Sequence, residues 1–293
     1  MNLWSRVSNG LTERVRRLFP NHLVRRSVQG VSLTLPWSHR LPDYAKSYPG
    51  FGQNLVAVAK AIGEAESPAR FSIIDVGANV GDSALRILSA VDADVVCVDG
   101  DPYWLRFLKE NTAQEPRVHI VASMLLPSSL EDSSDLVAHR TNGTTRFVPG
   151  PGTRTVPALA PESFRATLPE LAPMRLIKTD TDGFDARLLP GLAHAYADTS
   201  PVLFFEFDPR LARETGDLNP ERIWDSLMAL GYDQCVVWNN FGVLLGSWPT
   251  SELPIVAGIL EQPVEQRGYH YWDVAAIHRE DRYSTVIERA LLA

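Results

Sequence analysis

Phe71 to Gly81 reads F-S-I-I-D-V-G-A-N-V-G. The run from Phe71 to Val76 is apolar and of strand length, Asp75 stands near its end, and Gly77 and Gly81 bracket a turn from which a helical pattern departs. Strand, glycine-rich turn and helix form the opening unit of a nucleotide-type α/β domain. The turn itself separates two ligand classes. A dinucleotide site wants a glycine in the middle of G-x-G-x-x-G, so that backbone can approach a pyrophosphate, and Asn79 stands there instead. An ionised Asp75 would repel a diphosphate and attract the ammonium and sulfonium of S-adenosylmethionine. Eighteen residues past Gly81, the strand 94–98 ends in Asp99, the spacing of an acid that accepts hydrogen bonds from ribose hydroxyls. A βαβ unit with a capping Asp and no ligand is the bland alternative.

Outward from this unit the rhythm is regular. Helix 80–90, strand 94–98, helix 102–112 and strand 117–122 continue a right-handed parallel sheet, with Asp101-Pro102 opening the second helix. Residues 123–173, rich in Pro, Gly, Ser and Thr, then interrupt it, with a hairpin expected across Asn142-Gly143 and a short helix near 162–168. An insertion of that length is expected to act as a cap on the substrate. The parallel pattern resumes with strand 174–179, a helix from Ala186, strand 201–207 and helix 220–230; strands 232–238 and 273–278 are expected as an antiparallel edge pair.

Ahead of the core, residues 1–26 place Trp4, Val7, Leu11, Val15 and Leu18 at helical spacing among arginines. A basic amphipathic helix of this kind is expected either to lie on an anionic membrane surface or to dock on its own domain or a second subunit of a homo-oligomer. Residues 30–53 begin as an alternating strand and turn Pro- and aromatic-rich, a composition that argues against a regular helix. Trp37, His39, Tyr44 and Tyr48 are there as material for a lid or for packing. The expected organisation is thus an N-terminal segment 1–53 and a catalytic domain 54–293.

Composition sets the class. The 293 residues are 45% hydrophobic and 22% charged, as in a globular protein with a full core. The net charge of −7 argues against a general nucleic-acid binder, although residues 1–40 carry seven arginines against the single acid Glu13, which is +6 there and −13 over the remainder. Cys97 and Cys235 each sit in an apolar run without a second Cys or a His pattern nearby, so free buried thiols in a reducing compartment are expected. With no run of membrane-span length and no signal-peptide pattern, the expected location is cytoplasmic, at the inner face of the membrane if the basic helix binds lipid.

In an open parallel sheet the ligand lies beyond the carboxyl ends of the strands. Asp75, Asp99, Asp180 with Asp182, and Glu206 with Asp208 all fall there, and carboxylates sharing one crevice raise each other's pKa. Asp180, Asp182, Glu206 and His39 are candidate bases or substrate orienters for transfer to a hydroxyl; Lys178, on the strand face of Asp180, is a candidate partner for it. A buried Lys178–Asp180 ion pair and a packing role for His39 are the structural alternatives. The spacing demands no metal, and Mg²⁺ would be the ion if there were one.

D-V-G-A-N-V-G-D at 75–82 followed by L-I-K-T-D-T-D-G-F-D at 176–185 and F-F-E-F at 204–207 resembles the FkbM family of S-adenosylmethionine-dependent methyltransferases, over roughly residues 71–238. Asp182 stands where the family usually has Glu, which resembles a D-x-D-G-F-D subgroup associated with bacterial surface polysaccharides. The resemblance implies a class I methyltransferase fold, Rossmann-like, with a seven-stranded, mostly parallel sheet and an antiparallel last strand. By position it implies that Asp75, Gly77, Asn79 and Gly81 surround the methionine part of S-adenosylmethionine, Asp99 takes the ribose hydroxyls and Ser123 lies near the adenine. Ala78, Asp82, Gly100 and Asp101 belong to the same two segments and count with them. It further implies O-methylation of a sugar or polyketide hydroxyl; the aromatic segment and the acids suit a glycan or glycosylated small molecule. An NAD-dependent sugar oxidoreductase and a non-catalytic scaffold of the same fold are the readings from other classes.

Overall fold

The computed structural model describes residues 16, 18–127, 136–141, 143–149 and 157–293. Most of the expected N-terminal amphipathic helix, residues 1–15 and 17, lies outside them, as do Asn142 and parts of the insertion. Beyond Pro20, where the helical pattern of the sequence ends, the chain forms the hairpin β1 (Leu23–Val28) and β2 (Val31–Pro36), which carries Arg25 and Arg26. Helix α1 (Leu41–Ser47) follows inside the segment whose composition argued against one. Pro42 is the reason that expectation fails: it occupies the first turn, where no backbone N–H is needed.

Helix α2 (Gln53–Glu66) leads into β3 (Phe71–Val76), α3 (Asp82–Leu88), β4 (Ala93–Asp99), α4 (Pro102–Thr112) and β5 (Val118–Ala122). The insertion contributes β6 (Met124–Leu125), the antiparallel hairpin β7 (Leu136–Arg140) and β8 (Thr145–Pro149), the short β9 (Ala158–Leu159) and α5 (Pro161–Thr167). Then come β10 (Met174–Thr179), α6 (Asp185–Ala195), β11 (Val202–Phe207), α7 (Pro209–Glu214), α8 (Arg222–Ala229), β12 (Tyr232–Asn239), β13 (Leu244–Pro249), β14 (Trp272–His278) and α9 (Ser284–Leu292).

Eight strands form the main sheet in the order β13-β12-β14-β11-β10-β3-β4-β5. From β5 to β12 this is the class I methyltransferase arrangement, a Rossmann-like α/β sheet, with β14 antiparallel to both β11 and β12. Two expectations need correction. Residues 272–278 are not at the edge but lie between β11 and β12, and an eighth strand, β13, forms the edge beside β12. Pattern reading could not find β13, because L-L-G-S-W-P exposes Leu244 and Leu245 and so lacks the alternation of a half-buried strand.

The parallel centre is buried on both faces. Every residue of β3 and β10 is buried, and a strand covered on two sides reads as a continuous apolar run rather than an alternating one. Ile74 and Val76 belong to one core layer with Leu188, Leu192 and Trp224, whereas Phe71 and Ile73 belong to the other with Ile62, Ile87 and Ile287. A third cluster joins Leu33 and Leu35 of β2 to Trp104 and Phe107 of α4, which seats the N-terminal hairpin on the main domain. At the amino ends of the strands, buried Arg175 binds Glu66 at 2.6 Å and Asp281 at 2.9 Å, so helix α2 and the chain after β14 are tied to β10. Cys97 and Cys235 are free and buried. No helix among the described residues is long and apolar enough to cross a membrane.

Candidate functional site

The carboxyl ends of the parallel strands are brought together by the chain's crossovers, and the turn after β3 shows how. Gly77 (φ 75°), Asn79 (φ 50°) and Gly81 (φ 85°) are all left-handed, which folds the turn back over β4. The N–H groups of Gly77 and Ala78 donate to the Val98 carbonyl at 2.9 and 3.1 Å, that of Asn79 to Asp99 at 2.8 Å, and that of Gly81 to the Ala78 carbonyl at 2.8 Å. Those four donors are therefore spent inside the protein. A dinucleotide site offers such donors to a pyrophosphate, so this turn is a poor diphosphate cradle.

A cavity of about 70 Å³ lies against this turn. Of the positions expected to hold the cofactor, Gly77, Asp99, Gly100 and Ser123 are on its wall, together with Asp180 and Asp182 from the acceptor side. Asp99 accepts the N–H groups of Asn79 and Asp101, each at 2.8 Å. Burial pushes its carboxyl up to about 6 against the pull of those two hydrogen bonds. Ser123 is buried, and its hydroxyl donates to the carbonyls of Met124 and Pro157 at 3.0 and 2.9 Å, tying the insertion's return to the end of β5.

Asp75 stands elsewhere. It is wholly buried behind the wall, and Lys178 Nζ lies 2.8 Å from its Oδ1. The expected direct attraction between Asp75 and a cofactor cation is thus replaced by an internal ion pair. Lys178 also donates to the carbonyls of Val76 and Gly77 at 3.3 and 3.2 Å and lies 3.7 Å from Asp180. Burial alone would lower its pKa, but Asp75 and Asp180 more than reverse that and hold the ammonium above its ordinary value. The partner foreseen for Lys178, Asp180, is the more distant of the two; the closer, Asp75 on the neighbouring strand β3, was not foreseen.

The D-T-D-G-F-D loop carries Asp182 at φ 51° and Gly183 at φ 105°. Asp180 is half exposed, with 54% of its side chain accessible. Burial, with the charges of Asp180 and Asp185, pushes Asp182 up to about 7. Asp185 opens α6, accepts the Thr181 N–H at 3.2 Å, and is pushed up to about 6 by burial and by Asp180. Glu206 stands next to the end of β11 opposite Asp273 of β14, and burial, with the charges of Asp180, Asp185, Asp182 and Asp273, pushes its carboxyl well above the ordinary value. It lines a separate small cavity with Asp185 and Asp208.

Six other expected site residues are also off the main wall: His39, Ala78, Asn79, Gly81, Asp82 and Asp101. Asp82 is in the first turn of α3, 4.0 Å from Arg86. Asp101 caps α4 by accepting the Tyr103 N–H at 2.9 Å and is ion-paired to Arg140 of β7. Burial would raise it, but Arg140, Thr145 and the Tyr103 N–H hold it below the ordinary carboxylate value. His39 is buried beside Trp104, with ring centroids 5.2 Å apart. Its Nδ1 accepts the Leu41 N–H at 3.2 Å and its Nε2 faces Asn79 Oδ1 at 3.3 Å.

Met124, Leu126, Thr145, Phe147, Thr181 and Phe184 line the cavity without having been foreseen. Phe184 and Thr181 sit inside the second motif and were within reach of the sequence; nothing local to β8 tells which way Thr145 and Phe147 face. Among the described residues no group of three or more His, Cys, Asp or Glu is arranged to hold a metal ion.

Neither a protein-family model nor a curated protein matches the chain. Similar solved structures include the methyltransferase FkbM from Methylobacillus flagellatus, at 15% identity and TM-score 0.34, covering 57% of this chain and 41% of that one. A putative O-methyltransferase from Klebsiella pneumoniae aligns at 10% identity and TM-score 0.40 over 81% of this chain and 90% of its own. The precorrin-6y C5,15-methyltransferase from Geobacter metallireducens aligns at 11% identity and TM-score 0.40 over 77% and 87%.

Proposed function

We propose that the protein is an S-adenosylmethionine-dependent O-methyltransferase that methylates a hydroxyl of a sugar, in a surface polysaccharide, a glycolipid or a glycosylated metabolite. The observation that carries this reading is one cavity whose wall joins Gly77, Asp99 and Gly100 to Asp180 and Asp182. The wall suits the adenosyl half of the cofactor. Asp99 keeps lone pairs for ribose hydroxyls after accepting its two backbone donors, and Met124, Leu126 and Phe184 offer an apolar face to a purine. When bound, S-adenosylmethionine supplies a methyl group on a cationic sulfur, displaced in line by an oxygen nucleophile.

The chain's own work is then to align two reactants and take a proton. Asp182 is the base in this reading, since a carboxyl pushed up to about 7 both ionises and accepts a proton near neutral pH. Asp180, half exposed on the same wall, orients the acceptor by accepting from its neighbouring hydroxyls. Lys178 holds Asp180 and the cofactor turn in fixed relation and does not face the cavity.

Calorimetric titration of the full chain with S-adenosylhomocysteine and separately with NAD tests the cofactor. Binding of the first at micromolar Kd and none of the second is expected; no binding of S-adenosylhomocysteine would sink the reading, and binding of NAD would favour the oxidoreductase. Methyl transfer to sugar acceptors tests the rest. Asp182→Asn should lower kcat by roughly 10²–10⁴-fold, the range for loss of a general base, with affinity for S-adenosylhomocysteine kept within about threefold.

A further inference from the structure

The hairpin β7–β8 of the insertion, a segment expected as a cap over the acceptor, is fastened mainly to the cofactor half of the crevice. Arg140 on β7 makes a two-pronged ion pair with Asp101, Nε to Oδ2 at 2.6 Å and a second nitrogen to Oδ1 at 2.7 Å. Asp101 is 1% exposed, and the Thr145 hydroxyl of β8 donates to it as well. Trp104 of α4 donates its indole N–H to Thr145 at 2.9 Å. From the glycine-rich turn, Asn79 donates its side-chain amide to the Gly143 carbonyl at 2.8 Å, and His39 steadies that amide from behind. Toward the other half, among the described residues, the hairpin makes the exposed pair of Arg146 with Glu214 at 2.8 Å, while Arg165 of α5 pairs with Asp198 at 2.8 Å.

Beneath these contacts Thr145 and Phe147 line the same cavity as Asp99 and Gly100, and Phe147 packs on the cluster of Met124, Leu126 and Phe184. The wall of the cavity is thus part main sheet, at Val76, Val98 and Asp99, and part hairpin. The strands β3 and β4 are buried core, so the hairpin is the part of the wall held by side-chain contacts rather than by the main sheet.

We infer that the hairpin β7–β8 is the roof of the cofactor pocket, with Thr145 and Phe147 facing the cofactor, and that the Arg140–Asp101 pair is the bolt that must release for the cofactor to enter and leave. This rests on the reading that the crevice takes S-adenosylmethionine. In this inference the bolt re-forms over the bound cofactor, so weakening it lowers the barrier to opening in the empty and the filled pocket alike and leaves the affinity nearly untouched.

Stopped-flow binding of S-adenosylhomocysteine to the full chain tests the roof. Arg140→Ala, at a side chain that is half exposed, spares the helix cap that Asp101 also makes. It should raise the association and dissociation rates together, by roughly tenfold, with Kd within about threefold; Arg140→Lys should restore most of the wild-type rates. Phe147→Ala should weaken binding by about tenfold or more, since an aromatic lost from a ligand contact costs over 1 kcal/mol. Rates unchanged in Arg140→Ala would overturn the bolt, as would faster dissociation with unchanged association. Unchanged affinity in Phe147→Ala would overturn the cofactor-facing roof. Failure of the wild type to bind S-adenosylhomocysteine at all would remove the cofactor reading and this inference with it.

Discussion

Gly77 and Asp180 approach each other so closely that a Cβ on Gly77 would sit 1.9 Å from the Asp180 carbonyl oxygen. The two motifs that stand a hundred residues apart in the chain are here in backbone contact, and Asp180 N–H donates to the Val76 carbonyl at 3.1 Å. Gly77 is also left-handed, at φ 75°. Gly77→Ala should therefore destabilise the protein by at least about 2 kcal/mol, because left-handed strain and overpacking each cost about 1–3 kcal/mol. Urea unfolding checks this. A midpoint equal to wild type would mean that the two turns are not in contact.

The Lys178–Asp75 pair invites a double-mutant cycle. Both side chains are buried, at 5% and 0% exposure, so removing one charge strands the other in the core. Lys178→Met should cost about 3–5 kcal/mol. The double variant Asp75→Leu with Lys178→Met should recover much of that loss, since replacing a buried pair by apolar groups is often neutral. Additive losses across the cycle would show that the pair is not coupled.

The fold was legible where apolar periodicity and chain punctuation coincide. β3, β10 and α4 emerge from F-S-I-I-D-V, M-R-L-I-K-T and the D-P opening of P-Y-W-L-R-F-L-K-E-N-T. What stayed hidden depends on pairing. Lys178 lies opposite Asp75 only because β10 adds beside β3 in that register. Asp101 and Asp99 are the same residue type two positions apart, yet one faces the cavity and the other holds Arg140, a partner 39 residues on. Local sequence carries the strand ends; it does not carry which acid meets a base.

Stability and turnover should respond to pH in opposite directions above pH 6.5. Burial pushes Asp182 and Asp273 up to about 7, against an unfolded value of about 3.9. Their folded pKa is raised, so the stability they contribute is fully present below about pH 4 and lost as pH rises through about 7. Thermal midpoints should fall from pH 6.5 to pH 8, with a shallower fall in Asp273→Asn. Methyl transfer should instead rise over the same interval, because an ionised Asp182 is the base. The acids are close enough to titrate together, so the midpoint read from rates belongs to the group. A thermal midpoint that climbs from pH 6.5 to 8 would contradict the burial of these two carboxyls.

His39 should hold Asn79 in place rather than take a proton. Its Nδ1 accepts from the Leu41 N–H, which leaves the ring proton on Nε2, facing the Asn79 oxygen. That tautomer has no free lone pair for an acceptor hydroxyl. Burial lowers the pKa to about 4, against the smaller upward pull of Asn79. A lowered folded pKa gives stability that is present above about pH 6.5 and lost as pH falls through about 4. In ring-proton NMR, one of the histidines should stay neutral down to about pH 5, and that signal should vanish in His39→Gln. Gln can still donate to Asn79, so kcat in His39→Gln should stay within about fivefold of wild type, where loss of a general base costs about 10²–10⁴. A loss of that size, together with the disappearance of an ionisation from the pH–rate profile, would make His39 the base and displace Asp182.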